Sequence, residues 1–176
     1  DLPFTTTDPS AIGSFPIMAK PRYVKGSRDI MRLDNSDDVR YVTSKMKDLI
    51  FQEFLPGTEY TIDVLSDLEK NALMAVPRIR IQTKAGISTK GRILKNKKIE
   101  DESKQIAEFI GIRGPCCIQM KEDVNGIVKL VEVNPRMGGG TIFTTLAGAN
   151  FPMMLIDMVE HKKVSVPEIQ EITVIR

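Results

Sequence analysis

The run from Leu130 to Gly140, LVEVNPRMGGG, sets a single carboxylate, Glu132, among apolar residues and follows it with Asn134, Arg136 and the glycines Gly138, Gly139 and Gly140. A buried strand excludes an unpaired carboxylate, because removing water from its charge costs on the order of several kcal/mol. A cation or a set of donors is therefore expected to meet Glu132. Upstream, Gln119 lies in the apolar run CCIQM, and Val124-Asn125-Gly126-Ile127 separates the two runs. Asn-Gly is a strong signal for a two-residue hairpin turn. Pairing Val124 with Ile127 sets Gln119 directly opposite Glu132, with Asn134 on the same face.

Two readings of that cluster stand. Gln119 hydrogen-bonds Glu132 across an exposed sheet face, or Gln119, Glu132 and Asn134 form a set of hard oxygen ligands. The second suits Mg²⁺, which prefers oxygen and completes its shell with water and phosphate oxygens. Arg136, just beyond, is suited to grip phosphate or carboxylate oxygens. The glycines let the backbone approach a ligand closely.

Two further segments carry candidate chemistry. Lys20 ends the run FPIMAK and faces Gly26 and Ser27 in the next loop. A strand-end lysine and a Gly-Ser turn can hold phosphates by charge and by backbone N–H groups, or can be a surface lysine beside a turn. The pattern is not GxxxxGK[ST]. In IFQEFLPGTEYTIDV, Gln52 and Glu53 precede Phe54 and Leu55, and Glu59 follows the turn. Such a hinge binds adenine through main-chain groups while a carboxylate takes the ribose hydroxyls, or it is an interdomain linker with solvated acids.

The elements that must position these residues follow from periodicity. Strands are expected at FPIMAK, at the run after YVKGSRDI, and at LIFQEF, YTIDVLS, ALMAVPRIRIQ, CCIQMKED and IVKLVEVN. Val39, Val42, Met46 and Leu49 mark an amphipathic helix capped near Asn35 and Ser36. A second helix covers about Glu100 to Ile110 and stops at Gly111. A third starts near Asn150, buries Leu155, Met158 and Val159, and ends at His161. TKAGISTKG reads as a flexible loop. The opening segment, Asp1 to Phe15, shows no strand or helix of any length. Strands and helices without strict alternation give an α+β class.

Composition bounds the rest. The chain has 176 residues, 41% of them hydrophobic. That is enough for one sizeable core or two small subdomains. Twenty-five Lys and Arg against 23 Asp and Glu leave +2, with no basic block long enough for nucleic acid. No apolar run reaches about 18 residues and no signal-peptide pattern opens the chain, so a cytoplasmic protein without a membrane partner is expected. Cys116 and Cys117 are neighbours in an apolar run and read as reduced core residues.

In order, K-P-x5-G-S, QEFLPGTE and Q-M-x11-VEVNPR resemble the motifs of an ATP-grasp domain, most like that of the carbamoyl phosphate synthase large chain and related ligases. The resemblance covers the chain from about Phe15. It implies two α+β subdomains, residues 1–56 and 57–176, with nucleotide bound between them. It implies ATP and Mg²⁺ (or Mn²⁺), with Lys20, Gly26 and Ser27 at the phosphates, Gln52, Glu53 and Phe54 at the adenine hinge, and Glu59 at the ribose. Gln119, Glu132 and Asn134 match the metal ligands, and Arg136 with Asn134 the catalytic positions.

Ser88 falls where the synthase keeps a substrate-side histidine, beside Arg136 on the substrate side, which departs from bicarbonate chemistry. The implied activity is ATP-dependent activation of a carboxylate or bicarbonate as an acyl phosphate for attack by an amine or ammonia. A homodimer or a larger synthetase assembly is compatible with it. Family members carry a preceding Rossmann-like domain that this sequence lacks, so an excised fragment is expected. The rival reading is a nucleotide-binding or regulatory module without catalysis.

Overall fold

The computed structural model describes residues 1–23, 28–84 and 87–175, without the side chains of Lys84 and Ile87. The chain divides into two compact units, Asp1–Gly57 with Glu122–Lys129, and Thr58–Lys121 with Leu130–Arg176. The hairpin tip Glu122–Lys129 thus belongs with the N-terminal unit, although its neighbours in sequence belong to the other.

The first unit is a four-stranded antiparallel sheet in the order β1-β4-β2-β3. The strands are β1 (Thr5–Thr6), β2 (Ile17–Pro21), β3 (Met31–Leu33) and β4 (Leu49–Glu53). Helix α1 (Ser36–Lys45) begins where the Asn35 side chain accepts from the Asp37 and Asp38 N–H groups, and both acids complement the helix dipole. Alternation along β2 turns Ile17 and Ala19 into a core with Leu33, Val42, Leu49 and Phe51. Met18 and Lys20 therefore face away from that core. Helix α1 is shorter than expected: Met46 is its C-cap and Leu49 already opens β4.

The second unit is a six-stranded sheet in the order β10-β7-β6-β5-β8-β9. Its strands are β5 (Glu59–Ser66), β6 (Ala72–Lys84), β7 (Ile87–Ile93), β8 (Gly114–Glu122), β9 (Val128–Asn134) and β10 (Thr173–Ile175). β5 is central and is buried at every position except Glu59. Helix α2 (Lys97–Ile110) packs on β5 and β6 and starts at the cap Asn96. It ends at Gly111, whose φ of 78° suits a residue without Cβ. Two helices follow β9, α3 (Thr141–Leu146) and α4 (Phe151–Val159), the latter capped by Asn150. The core gathers Leu65, Val76, Ile93, Phe143, Phe151 and Met154.

Register fixes which side chains share a face. Thr61 is paired with Arg78 on one side and Gln119 on the other, and Asp63 with Val76 and Cys117. Directly opposed residues point the same way, so Thr61, Asp63, Arg78, Cys117 and Gln119 lie on one face, with Glu59 and Arg80 two residues further along their strands.

Several expectations need correction. The segment expected as a flexible loop at TKAGISTKG forms strand β7 from Ile87, hydrogen-bonded to β6 and β10. A glycine in a strand often marks a close approach. Here a Cβ on Gly91 would lie 2.8 Å from Phe143 and 2.9 Å from Arg78. Helix α2 starts at Lys97, three residues early, because Asn96 rather than Ile99 precedes its first turn. Helix α4 buries Phe151, Met154 and Met158, whereas Val159 is exposed and Leu155 only half-buried. The opening segment, Asp1 to Phe15, holds β1, which pairs with β4, and a short 3-10 turn at Pro9–Ala11. Helix α3 and strand β10 were not expected.

The hairpin between β8 and β9 also differs. The Asp123 N–H donates to the Ile127 carbonyl, the Gly126 N–H to the Asp123 carbonyl, and Gly126 has φ of 75°. The loop therefore has a third residue, with a glycine bulge, and Asp123 rather than Val124 faces Ile127. Among the described residues no helix is long and apolar enough to cross a membrane.

Candidate active site

In the second unit a cavity of about 290 Å³ opens on the face that carries Thr61, Arg78 and Gln119. Its lining comes from five strands and one loop: Ser88 on β7, Arg78 and Arg80 on β6, Thr61 on β5, Cys117 and Gln119 on β8, Asn134 ending β9, then Arg136 and Gly138 to Gly140. Among the described residues, three arginines and no carboxylate line it.

A buried ion pair forms the cavity wall. Arg78 Nη1 donates to Asp63 Oδ2 at 3.1 Å and to the Gly140 carbonyl at 2.9 Å, while both side chains are 2% exposed. Asp63 also accepts from the hydroxyls of Thr144, at 2.6 Å, and Thr141, at 3.4 Å. The Arg78 guanidinium lies 5.2 Å from the Phe143 ring centroid, within reach of a cation–π attraction. The glycine loop and helix α3 are thus tied to the sheet through charged groups whose bonds replace water. A Cβ on Gly140 would lie 2.5 Å from Arg78 Nη2. This position must therefore be glycine for the guanidinium to approach the backbone.

Beside this wall Arg80 is ion-paired with Glu59 on the neighbouring strand. Cys117, 3.0 Å from a Cβ placed on Gly138, is a buried free thiol. Burial, and then the Asp63 carboxylate, push its pKa up to about 12, and the same causes push Cys116 up to about 11. Both remain protonated thiols at neutral pH.

The residues expected at the metal are distributed unevenly. Gln119 and Asn134 line the cavity together with Arg136 and Ser88, the latter 5% exposed. Glu132 is exposed, does not line that cavity, and its side chain has no hydrogen bond or ion pair among the described residues. The expectation of a buried carboxylate there is overturned, because β9 is an edge strand of the sheet. Arg136 is exposed and donates to the Met137 carbonyl at 3.1 Å.

The residues expected at the nucleotide, Glu59 apart, belong to the first unit. Lys20 Nζ donates to Gln52 Oε1 at 2.5 Å, and Gln52 Nε2 donates to the Thr5 hydroxyl at 2.9 Å. Glu53 accepts from the Phe4 N–H at 2.8 Å and from Lys129 Nζ at 2.6 Å. Phe54 carries the Arg32 guanidinium 4.8 Å from its ring centroid. Gly26 and Ser27 lie outside the described residues.

Sequence reasoning missed Arg78, Arg80, Asp63 and Thr61. The signal was available in VPRIRIQ. Two arginines two positions apart in a strand project on one face, and two charges on the face of a buried strand demand partners or a ligand as strongly as a lone glutamate does.

The two antiparallel sheets with their packed helices constitute an ATP-grasp fold. The model for the family described as ATP-grasp in the biosynthetic pathway with Ter operon matches residues 45–176, and the chain belongs to that family. Among solved structures, the biotin carboxylase domain of Hydrogenobacter thermophilus 2-oxoglutarate carboxylase, in complex with MgADP, ADP and bicarbonate, superposes with a TM-score of 0.70 at 15% identity. It does so over 87% of this chain and 38% of its own. N5-carboxyaminoimidazole ribonucleotide synthetase from Thermotoga maritima gives 0.63 at 16% identity, over 96% and 46%. L-amino acid ligase from Bacillus licheniformis gives 0.59 at 15% identity, over 88% and 42%. The chain therefore spans less than half the length of these structures. No curated protein sequence matches it.

Proposed function

We propose that the protein is an ATP- and Mg²⁺-dependent ligase that activates a carboxylate as an acyl phosphate for attack by an amine or ammonia. The observation that carries this reading is the cavity itself, which brings Arg80, Arg136, Ser88, Gln119 and Asn134 together with no carboxylate among its described lining residues. Such a wall attracts an acid and holds it by charge-assisted hydrogen bonds. The biotin carboxylase domain and the two synthetase-type enzymes that share the fold support the same class of chemistry.

In this reading a carboxylate oxygen attacks the γ-phosphorus of ATP, ADP leaves, and the amine then displaces phosphate from the acyl carbon. Arg136, exposed and bonded only to a neighbouring carbonyl among the described residues, is free to turn toward the transferred phosphoryl oxygens. The glycine loop contributes backbone N–H groups and is held still by Arg78. Lys20 and Glu59 are proposed for phosphate and ribose; in the structure Lys20 contacts Gln52 and Glu59 pairs with Arg80.

The donor set fits Mg²⁺ in kind. Gln119 and Asn134 bring amide oxygens to one cavity and Glu132 offers an uncommitted carboxylate, while no cluster of three or more His, Cys, Asp or Glu exists among the described residues. So few protein oxygens suit an ion shared with nucleotide phosphates, where it would offset phosphate charge.

The finer reading, chemistry of the carbamoyl phosphate synthase kind with bicarbonate as the acid, is less favoured by Ser88, which stands in the cavity where that enzyme keeps a histidine. The test is ADP release by the protein over a panel of carboxylates and amines. Release that requires one acid and one amine together supports the ligase; nucleotide binding with no release under any pair supports a non-catalytic nucleotide-binding module instead.

A further inference from the structure

We infer that the acid bound in this cavity is a small dianion, with a second acidic group held by Arg80 and Ser88 at the end opposite Arg136; the inference rests on the ligase reading of the same site. Strand order carries it. From Ser88 on β7 and Arg80 on β6 to Asn134 on β9, the lining crosses the sheet. Strands lie about 4.8 Å apart, so three steps separate β6 from β9 by roughly 14 Å at the backbone. Arg80 and Arg136 reach into one cavity from those two sides. Between them the floor carries Thr61, Gln119 and Cys117, with Arg78 held by Asp63. A guanidinium at each end of that floor offers N–H donors, and a ligand with an acidic group at each end matches them.

The nearby acids reinforce the sign of that selection. Asp63 is committed to Arg78, Thr144 and Thr141, and Glu59 to Arg80. Among the described residues no acid lines the cavity, so an ammonium group entering it would lose its hydration without a counter-charge. Arg78, its charge met by Asp63, still carries a buried Nε without a hydrogen-bond partner among the described residues. The cavity holds about 290 Å³. That is the small end of ligand pockets and limits the acid to a few carbons between its two groups.

The test compares acids of one skeleton. Calorimetric titration of the protein, with Mg²⁺ and a non-hydrolysable ATP analogue present, is run with butyrate, 4-aminobutyrate and the diacids from malonate to adipate. At least one diacid should bind about tenfold or more tighter than butyrate, and 4-aminobutyrate should bind weakest. Arg80→Met should bring that diacid down to the butyrate level. Arg80→Lys, which keeps the charge beside Glu59 and guards against a folding defect, should retain part of the preference. Butyrate or 4-aminobutyrate binding as tightly as every diacid, no diacid binding at all, or an undiminished preference in folded Arg80→Met overturns the inference. ATP turnover driven equally well by monoacids sinks the dianion and leaves the ligase; diacid-selective binding without turnover under any amine sinks the ligase and leaves the dianion.

Discussion

Asp63 and Arg78 meet diagonally across strands β5 and β6 at 3.1 Å, each side chain 2% exposed, and the same guanidinium nitrogen holds the carbonyl of Gly140. Removing one member of such a pair leaves a buried charge without compensation, at a typical cost of about 3 to 5 kcal/mol. Arg78→Met and Asp63→Leu should each lose stability of that order in urea unfolding. The double variant should lose clearly less than the sum of the two, because neither orphan charge remains. Additive losses would mean that the two charges act independently.

Gly140→Ala should be destabilising by about 1 to 3 kcal/mol although its backbone conformation is open to any residue. The cause is the guanidinium 2.5 Å from the new Cβ, which must leave either Asp63 or the Gly140 carbonyl. In Arg78→Met the same substitution should cost much less. An equal cost in both backgrounds would place the strain elsewhere in the loop.

The two thiols give a prediction with a definite sign. Folded pKa values raised to about 11 and about 12 mean that the neutral thiols are favoured by the fold. Their contribution is fully present below the unfolded value near 8.5 and is lost as pH rises from about 9 through the folded values. At pH 8 the folded protein should resist alkylation by iodoacetamide while urea-unfolded protein reacts at both cysteines. Rapid labelling of the folded chain would show that the buried wall opens.

At the hairpin tip, Asp123 accepts from the Ile127 and Asn125 N–H groups and lies 3.2 Å from Lys129 Nζ, which also reaches Glu53. The Ile127 backbone bond foremost, aided by Asn125 and Lys129, holds its carboxyl below the usual carboxylate value. The tip's contribution is therefore present above about pH 4 and lost as pH falls through the lower folded pKa. Asp123→Asn keeps the acceptor oxygen but not the charge. Its urea midpoint should fall less than the parent's between pH 5 and 2, by roughly the acid-labile increment of this one group. Parallel curves would remove Asp123 from the acid response.

Local patterns made much of the fold legible. Asn35 and Asn150 cap their helices where expected, and the alternation in YTIDVLS placed the central strand, since caps and period are properties of a few adjacent residues. Strand β7 was hidden because its glycine answers to Phe143, far along the chain. The exposure of Glu132 was hidden because β9 lies at a sheet edge, which an apolar run does not reveal. Gln119, Asn134 and Arg136, named from spacing and order, and Ser88, named from the family resemblance, share one cavity. Arg78 and Arg80 were overlooked because their partners, Asp63 and Glu59, are 15 and 21 positions away.

The central claim, that a carboxylate oxygen takes the γ-phosphoryl group of ATP, is tested most directly with a substrate acid labelled with ¹⁸O in its carboxylate. The acid and amine identified by ADP release are incubated with the protein, ATP and Mg²⁺, and the inorganic phosphate is examined by mass spectrometry. Amine attack on an acyl phosphate leaves one carboxylate oxygen on phosphorus, so each phosphate released should carry one ¹⁸O. Glu132→Gln should slow its formation by orders of magnitude if that carboxylate positions the metal with Gln119 and Asn134. Phosphate free of ¹⁸O, formed at the full rate of ADP release, would contradict carboxylate activation at this site.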